Sequence, residues 1–265
     1  MKLIVNNIPP EYLALRINYC KQQIRQLPDV RMHTYNIHGV ETKTAVFGKH
    51  RYAVSTPRGR ELACVMEQKE YYRRQLNIYE SIWANNYKYE LPSECTPRKV
   101  QRLLYVAPGQ PVIMDKYFFD SLKNDANKRY PKPKDYHFNG IDYRSAAERD
   151  IAVCYTEMGI PFKYEPEVYI NGLAEPIFPD FVLYITELDN CKIHEHFGVK
   201  SVAAYLKTTK FKYCDYANAG LVPELDTIYT YDLNGFPFDI RTLPFKLNTS
   251  VYLTMLSSQG TESSS

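Results

Sequence analysis

The sequence predicts an α+β N-terminal region, two long helices with a small hairpin sheet, followed by an α/β domain that runs helix, three strands, helix, strand. Three observations carry that reading. Apolar residues recur at three- and four-residue steps over residues 11–27 and again after Pro57, the mark of amphipathic helices. Short runs rich in Val, Ile, Tyr and Phe, bounded by Gly, Asn and Pro, mark strands between and after them. From Tyr143 onward helix-period and strand-period segments alternate.

Taken in order, Leu13, Ile17, Cys20, Ile24 and Leu27 form the stripe of the first helix, and Pro28 closes it. Residues 30–37, 44–47 and 51–55 read as strands, with a turn near His38-Gly39. Pro57 opens a long helix to about Ala84, striped by Leu62, Val65, Met66, Tyr72, Leu76, Tyr79 and Trp83. Its Arg60, Lys69, Arg73 and Arg74 lie mostly off the stripe, as a solvated face or a phosphate-contacting one. Helices are expected over residues 98–105 and 111–122. Residues 123–137 interleave Lys123, Lys128, Arg129, Lys132 and Lys134 with Asn, Tyr and two prolines. That composition suits a linker, alone or with nucleic-acid backbone contact through Lys128, Arg129, Lys132 and Lys134. The expected division is thus residues 1–125, a basic linker at 126–140, a second domain at 141–256 and a disordered tail at 257–265.

In the second domain Ser145-x-x-Glu148 is a capping box at a helix start, which by itself explains Glu148. Ile151, Cys154, Tyr155 and Met158 follow as a buried stripe and Gly159 stops the helix. Residues 162–170, 177–185 and 191–197 read as strands, residues 199–217 as a helix and residues 227–231 as a closing strand. Asp180 follows Glu148 by 32 residues and Glu195 follows Asp180 by 15. Glu195 shares a strand face with Ile193 and Phe197, and Asp180 is flanked by Pro179 and Phe181, so both acids sit in apolar company and call for partners. Two carboxylates about 4 Å apart repel by roughly 4 kcal/mol at an effective dielectric near 20. A divalent cation reverses that sign, and oxygen ligands suit Mg²⁺.

Length leaves room for two domains with ample core. A net charge of +3 is too small to announce a nucleic-acid partner, and the 24 tyrosines serve a core more readily than base stacking. Cys20, Cys64, Cys95, Cys154, Cys191 and Cys214 show no C-x-x-C pair. Cys191, His194 and His196 share one strand with no fourth zinc ligand marked. Cys20, Cys64 and Cys154 fall in apolar stripes, as reduced thiols packing as small hydrophobes. No run spans a bilayer and residues 1–7 lack the apolar core of a signal peptide, so no membrane partner and a cytoplasmic location are expected.

Five short motifs, in order, resemble the PD-(D/E)xK nuclease superfamily, and within it bacterial members with an R-S-x-x-E helix. They are Arg144-Ser145-Ala146-Ala147-Glu148, Gly159-Ile160-Pro161-Phe162-Lys163-Tyr164-Glu165, Pro179-Asp180-Phe181, Glu195-His196-Phe197-Gly198 and Ala219-Gly220-Leu221. The resemblance covers about a third of the chain. It implies a restriction-endonuclease-like fold and a metal-dependent nuclease, with DNA as the expected substrate and RNA not distinguished. Asp180, Glu195 and the His196 carbonyl would hold Mg²⁺ or Mn²⁺, and Glu148 would bind a second ion or position a water. The motif lysine is missing: its place is taken by Phe197. Some members supply that lysine from the next helix, which here carries Lys200, Lys207, Lys210 and Lys212. Tyr205, Thr209, Lys212 and Tyr216 fall on one helical face, so Lys212 is the expected replacement, with Lys207 or Lys210 as alternatives. The missing lysine also motivates a second expectation, a nucleic-acid-binding protein that keeps the fold without cleavage.

Overall fold

The computed structural model describes residues 8–37, 40–129, 131–198, 202–232 and 236–257, with main chain alone for Ile37 and residues 202–208. The expectations for residues 1–7, for the His38-Gly39 turn, for Lys200 and for the tail after Ser257 lie outside the described residues, as does the Lys207 side chain. The chain gathers into two compact units, Leu13–Pro97 and Met1–Tyr12 with Arg98–Ser265. The divide falls at Pro97 rather than in the basic stretch at 126–140.

The Leu13–Pro97 unit holds most of α1 (Pro10–Gln26), an antiparallel sheet of β1 (Val30–Ile37), β2 (Val40–Phe47) and β3 (His50–Ala53), and α2 (Pro57–Asn86). Leu13, Ile17 and Cys20 of α1 are buried as the stripe requires, each contributing ~2 kcal/mol of apolar burial. Thr56 caps α2 by accepting a hydrogen bond from the Gly59 amide. Only glycine fits there: a Cβ on Gly59 would meet the Ala53 carbonyl oxygen at 2.0 Å. Lys69 is buried on α2, donating to the Leu27 carbonyl and to Asp29, so it serves the fold rather than a solvated face. Cys64 is exposed, unlike Cys20 and Cys154.

The larger unit is built on a four-stranded sheet in the order β11-β10-β9-β8. Its strands are β8 (Phe162–Tyr164), β9 (Phe181–Ile185), β10 (Asn190–Phe197) and β11 (Thr227–Tyr231). β8 and β10 run antiparallel to β9, and β10 runs parallel to β11. A parallel neighbour requires a crossover, which α5 (Val202–Asn218) supplies. β8 and β9 are shorter than their apolar patterns suggested. Pro166, Pro176 and Pro179 remove ladder donors, Glu165 takes a left-handed φ of 40°, and only the Val168–Ile177 bridge survives between them.

Alternation along β10 sends Cys191, Ile193, Glu195 and Phe197 to one face and Lys192, His194 and His196 to the other. Ile193 and Phe197 pack with Val182, Tyr184 and Tyr229 against Tyr216 of α5 and Ala219 just beyond its end. On the opposite face α4 (Ala146–Glu157) bonds to His194 through the Tyr155 hydroxyl at 2.7 Å. There α6 (Leu243–Ser257), a helix the sequence reading did not assign, receives the buried Lys192. That ammonium donates to the Leu225 and Ser250 carbonyls and the Thr254 hydroxyl, and burial pushes its pKa down to about 7.

The helix expected over residues 98–105 is instead the start of a hairpin, β4 (Leu103–Ala107) with β5 (Gln110–Ile113). The Leu-Leu-Tyr-Val-Ala run ends at Pro108-Gly109, and Gly109 adopts φ 70°, which closes the turn. That hairpin also takes the first residues of the helix expected over 111–122, leaving α3 (Lys116–Ser121), which Asp115 caps by accepting from Tyr117 and Phe118. A two-residue hairpin, β6 (His137–Phe138) with β7 (Ile141–Asp142), precedes α4. The basic stretch before it is tied to the sheet: the Asp125 and Ala126 amides donate to the carbonyls of Tyr164 and Glu165. Among the described residues no helix is long and apolar enough to cross a membrane.

Candidate functional site

The last paired residues of β9 and β10 are Phe181 and His194, and one step further along the two strands stand Asp180 and Glu195. On the other side of Asp180, its carbonyl accepts from the Glu165 amide at 3.0 Å. Glu165, Asp180 and Glu195 therefore form a row across the sheet edge. Alternation places Asp180 with Val182 and Tyr184, and Glu195 with Ile193, on the face that α5 covers. Asp180 and Glu195 thus belong to the same side.

Glu195 is fully buried. Lys212 of α5 donates to its Oε2 and the Tyr216 hydroxyl to its Oε1. The Lys212 ammonium also stands 5.7 Å from the centroid of the Phe197 ring. Phe197 itself stacks with Tyr213, Tyr229 and Tyr231. Lys210 is exposed, whereas the Lys212 side chain is about one third accessible, at 34 %. Asp180 accepts from the His196 amide through Oδ2 at 2.7 Å.

Glu148 approaches from the first turn of α4. Its amide donates to the Ser145 hydroxyl, which in turn donates to Glu148 Oε1, both at 3.2 Å. The carboxylate does more than cap the helix: Oε2 accepts from the Tyr164 hydroxyl at 2.6 Å and from the Arg144 amide at 3.2 Å. Burial, then the nearby Asp180 charge, pushes Glu148 up to about 7. Burial and Asp180 likewise push Glu195 up to about 7 against the pull of Lys212. For Lys212 burial acts downward, but Glu195, Asp180 and Glu148 outweigh it and hold the ammonium above its ordinary range. Three carboxylates therefore bear on one ammonium, an excess of two negative charges when all three are ionised.

The basic stretch behaves unevenly. The Lys132 side chain, 10 % accessible, is held between Asp125 and Glu165 and lies 4.1 Å from the Tyr164 ring centroid. Lys128 pairs with Asp125 and Arg129 with Glu175, both at 2.6–2.7 Å and both still largely accessible. Lys134 is exposed. Tyr164 and Tyr216, which hold two of the three carboxylates, were given no site role from sequence, although Tyr216 was placed on the Lys212 face. Tyr216 follows Lys212 by one helical turn, so its position was available; Tyr164 needed the β8–β9 register.

Among the described residues no group of three or more His, Cys, Asp or Glu side chains is set to hold a metal ion. The hard-oxygen donors at the sheet edge are the Asp180 and Glu195 carboxylates and the His196 carbonyl. No family model, no curated protein and no solved structure matches the chain.

Proposed function

We propose that this protein is a metal-dependent nuclease that hydrolyses phosphodiester bonds, with DNA as its substrate, and that its larger unit is a restriction-endonuclease-like domain. The observation that carries the reading is the excess of negative charge at one sheet edge: Glu148, Asp180 and Glu195 act on the single ammonium of Lys212. One divalent cation balances that excess, and carboxylate and carbonyl oxygens suit Mg²⁺ or Mn²⁺. Asp180, Glu195 and the His196 carbonyl would hold the ion, which when bound supplies charge to the phosphoryl oxygens and acidity to a water.

The chain's own groups supply the rest. Lys212, held protonated by its acidic neighbours, offers N–H donors to a nucleophile or to the charge that develops on a phosphate. Glu148, with a pKa near 7, exchanges a proton at neutral pH and positions a water or a second cation. Tyr164 and Tyr216 fix the Glu148 and Glu195 carboxylates. Lys128, Arg129 and Lys134 remain accessible for phosphate contact, whereas Lys132 is already committed to Glu165.

The test incubates purified protein with plasmid and linear DNA in Mg²⁺, Mn²⁺ or EDTA, beside Asp180→Ala. Metal-dependent cutting that the substitution abolishes supports the proposal. A second reading, nucleic-acid binding without cleavage, draws on the closed state of Glu195, whose two oxygens are both taken by Lys212 and Tyr216. DNA retention with no cutting under any metal, unchanged in Asp180→Ala, would select it.

A further inference from the structure

Beside the candidate catalytic groups lies a cavity of about 170 Å³, lined by Ile177, Phe178, Glu195, Lys212, Asp215 and Tyr216. Its size is telling. Cavities that take drug-sized ligands run from about 300 Å³ upward, whereas one of about 150 Å³ accepts a single benzene ring. This space therefore fits one six-membered ring and excludes a whole nucleotide or a base pair. Its walls differ in kind. Ile177 and Phe178 are apolar, and the Arg129 guanidinium lies 5.8 Å from the Phe178 ring centroid. Asp215 is half-buried, and its carboxylate makes no hydrogen bond or ion pair among the described residues. Glu195, by contrast, already accepts from Lys212 and Tyr216.

We propose that this cavity receives one unpaired cytosine base, stacked on Phe178, with its exocyclic amino group donating to Asp215. The proposal rests on the nuclease reading for the placement of the base next to the bond to be cut, because Lys212 and Glu195 line the same space. Acceptor chemistry selects the base. A carboxylate pairs with the N4 amino group of cytosine, while thymine offers an O4 acceptor and a methyl group in that position. Ring size disfavours purines. In a duplex the cytosine amino group is bound to guanine, so the substrate is single-stranded, or frayed at an end, where a base can leave the stack.

The experiment measures binding of fluorescent oligo(dC) and oligo(dT) in EDTA at mildly alkaline pH, and cutting of the same strands in Mg²⁺. Wild-type protein is expected to prefer oligo(dC) by about tenfold. Asp215→Asn, which adds a donor without changing shape, brings the ratio towards one. Phe178→Leu, which keeps apolar volume but removes the ring, weakens both. Equal affinity for the two strands in the wild type, or a ratio untouched by Asp215→Asn, overturns the base assignment. Metal-dependent cutting lost in Asp180→Ala but indifferent to dC or dT would remove the cytosine pocket and leave the nuclease standing. A dC preference lost in Asp215→Asn, with no cutting under any metal, would do the reverse.

Discussion

Glu165 and the pair Asp180 and Glu195 stand in one row on one sheet edge, yet their surroundings are opposite. Glu165 is buried with two cations, Arg144 and Lys132, and an amide donor from Asn127. Its left-handed backbone is a cost that this clamp offsets, and the clamp anchors the basic stretch to the sheet. Beside it, Asp180, Glu195 and Glu148 share one ammonium among three carboxylates. The same residue chemistry thus does two jobs. Where cations match or exceed the acids the site is closed and holds the fold. Where acids exceed cations the site is left electrostatically open to added positive charge.

The largest effect separates the two halves of the row. Asp180→Ala should lower metal-dependent cleavage on the order of a thousandfold, as loss of preorganised charge stabilisation does. It should leave the unfolding midpoint close to that of the wild type, because relief of like-charge repulsion on Glu148 and Glu195 offsets the lost hydrogen bond from the His196 amide. A variant that unfolds instead would erase the distinction. Glu165→Gln should behave in the opposite way, losing about 3 kcal/mol in urea unfolding by removing the buried carboxylate that Arg144 and Lys132 share. Wild-type stability in that variant would show the clamp to be ornamental.

Stability against pH sharpens the contrast further. Glu148 and Glu195 have folded pKa values raised to about 7, above their ordinary 4.5. The folded state therefore holds protons that the unfolded chain releases. The stability these groups contribute is greatest at acid pH and is lost as pH rises through 7. Mg²⁺ competes with those protons, so at pH 8 it should raise the unfolding free energy, by about 2.7 kcal/mol at a hundredfold excess over Kd, and at pH 5 hardly at all. Glu148→Gln with Glu195→Gln should abolish the difference; an equal Mg²⁺ effect at both pH values would count against a carboxylate site. The smallest effect tests the basic stretch. Lys134→Ala should leave folding intact and reduce the salt dependence of DNA binding by about one phosphate contact. Lys132→Ala should instead lower stability, since it removes a cation from Glu165.

The helical stripes, the capping box and the strand alternation of β10 were readable because each is a local pattern tied to a fixed backbone period. The 98–105 segment was misread for the same reason: a five-residue apolar run fits a helix turn or a strand equally well. The hairpin partner at Gln110–Ile113 settled it. Lys69 and Lys132 looked like surface charge because a lysine's burial depends on partners distant in sequence, here Asp29 and Glu165. The stretch of β9 before Phe181 was overextended because the prolines that interrupt the ladder were outweighed by the apolar residues around them.

What the sequence determined by itself is the order of elements from α4 to β11 and the strand face on which Glu195 lies, because both follow from side-chain period along a single segment. What only the tertiary structure decided is the charge balance: that Lys212 rather than a neighbour meets Glu195, that Tyr164 reaches Glu148, and that Glu165 is neutralised while Asp180 is not. Electrostatic energy depends on distance and burial between groups far apart in the chain, and neither quantity exists until the strands are in register.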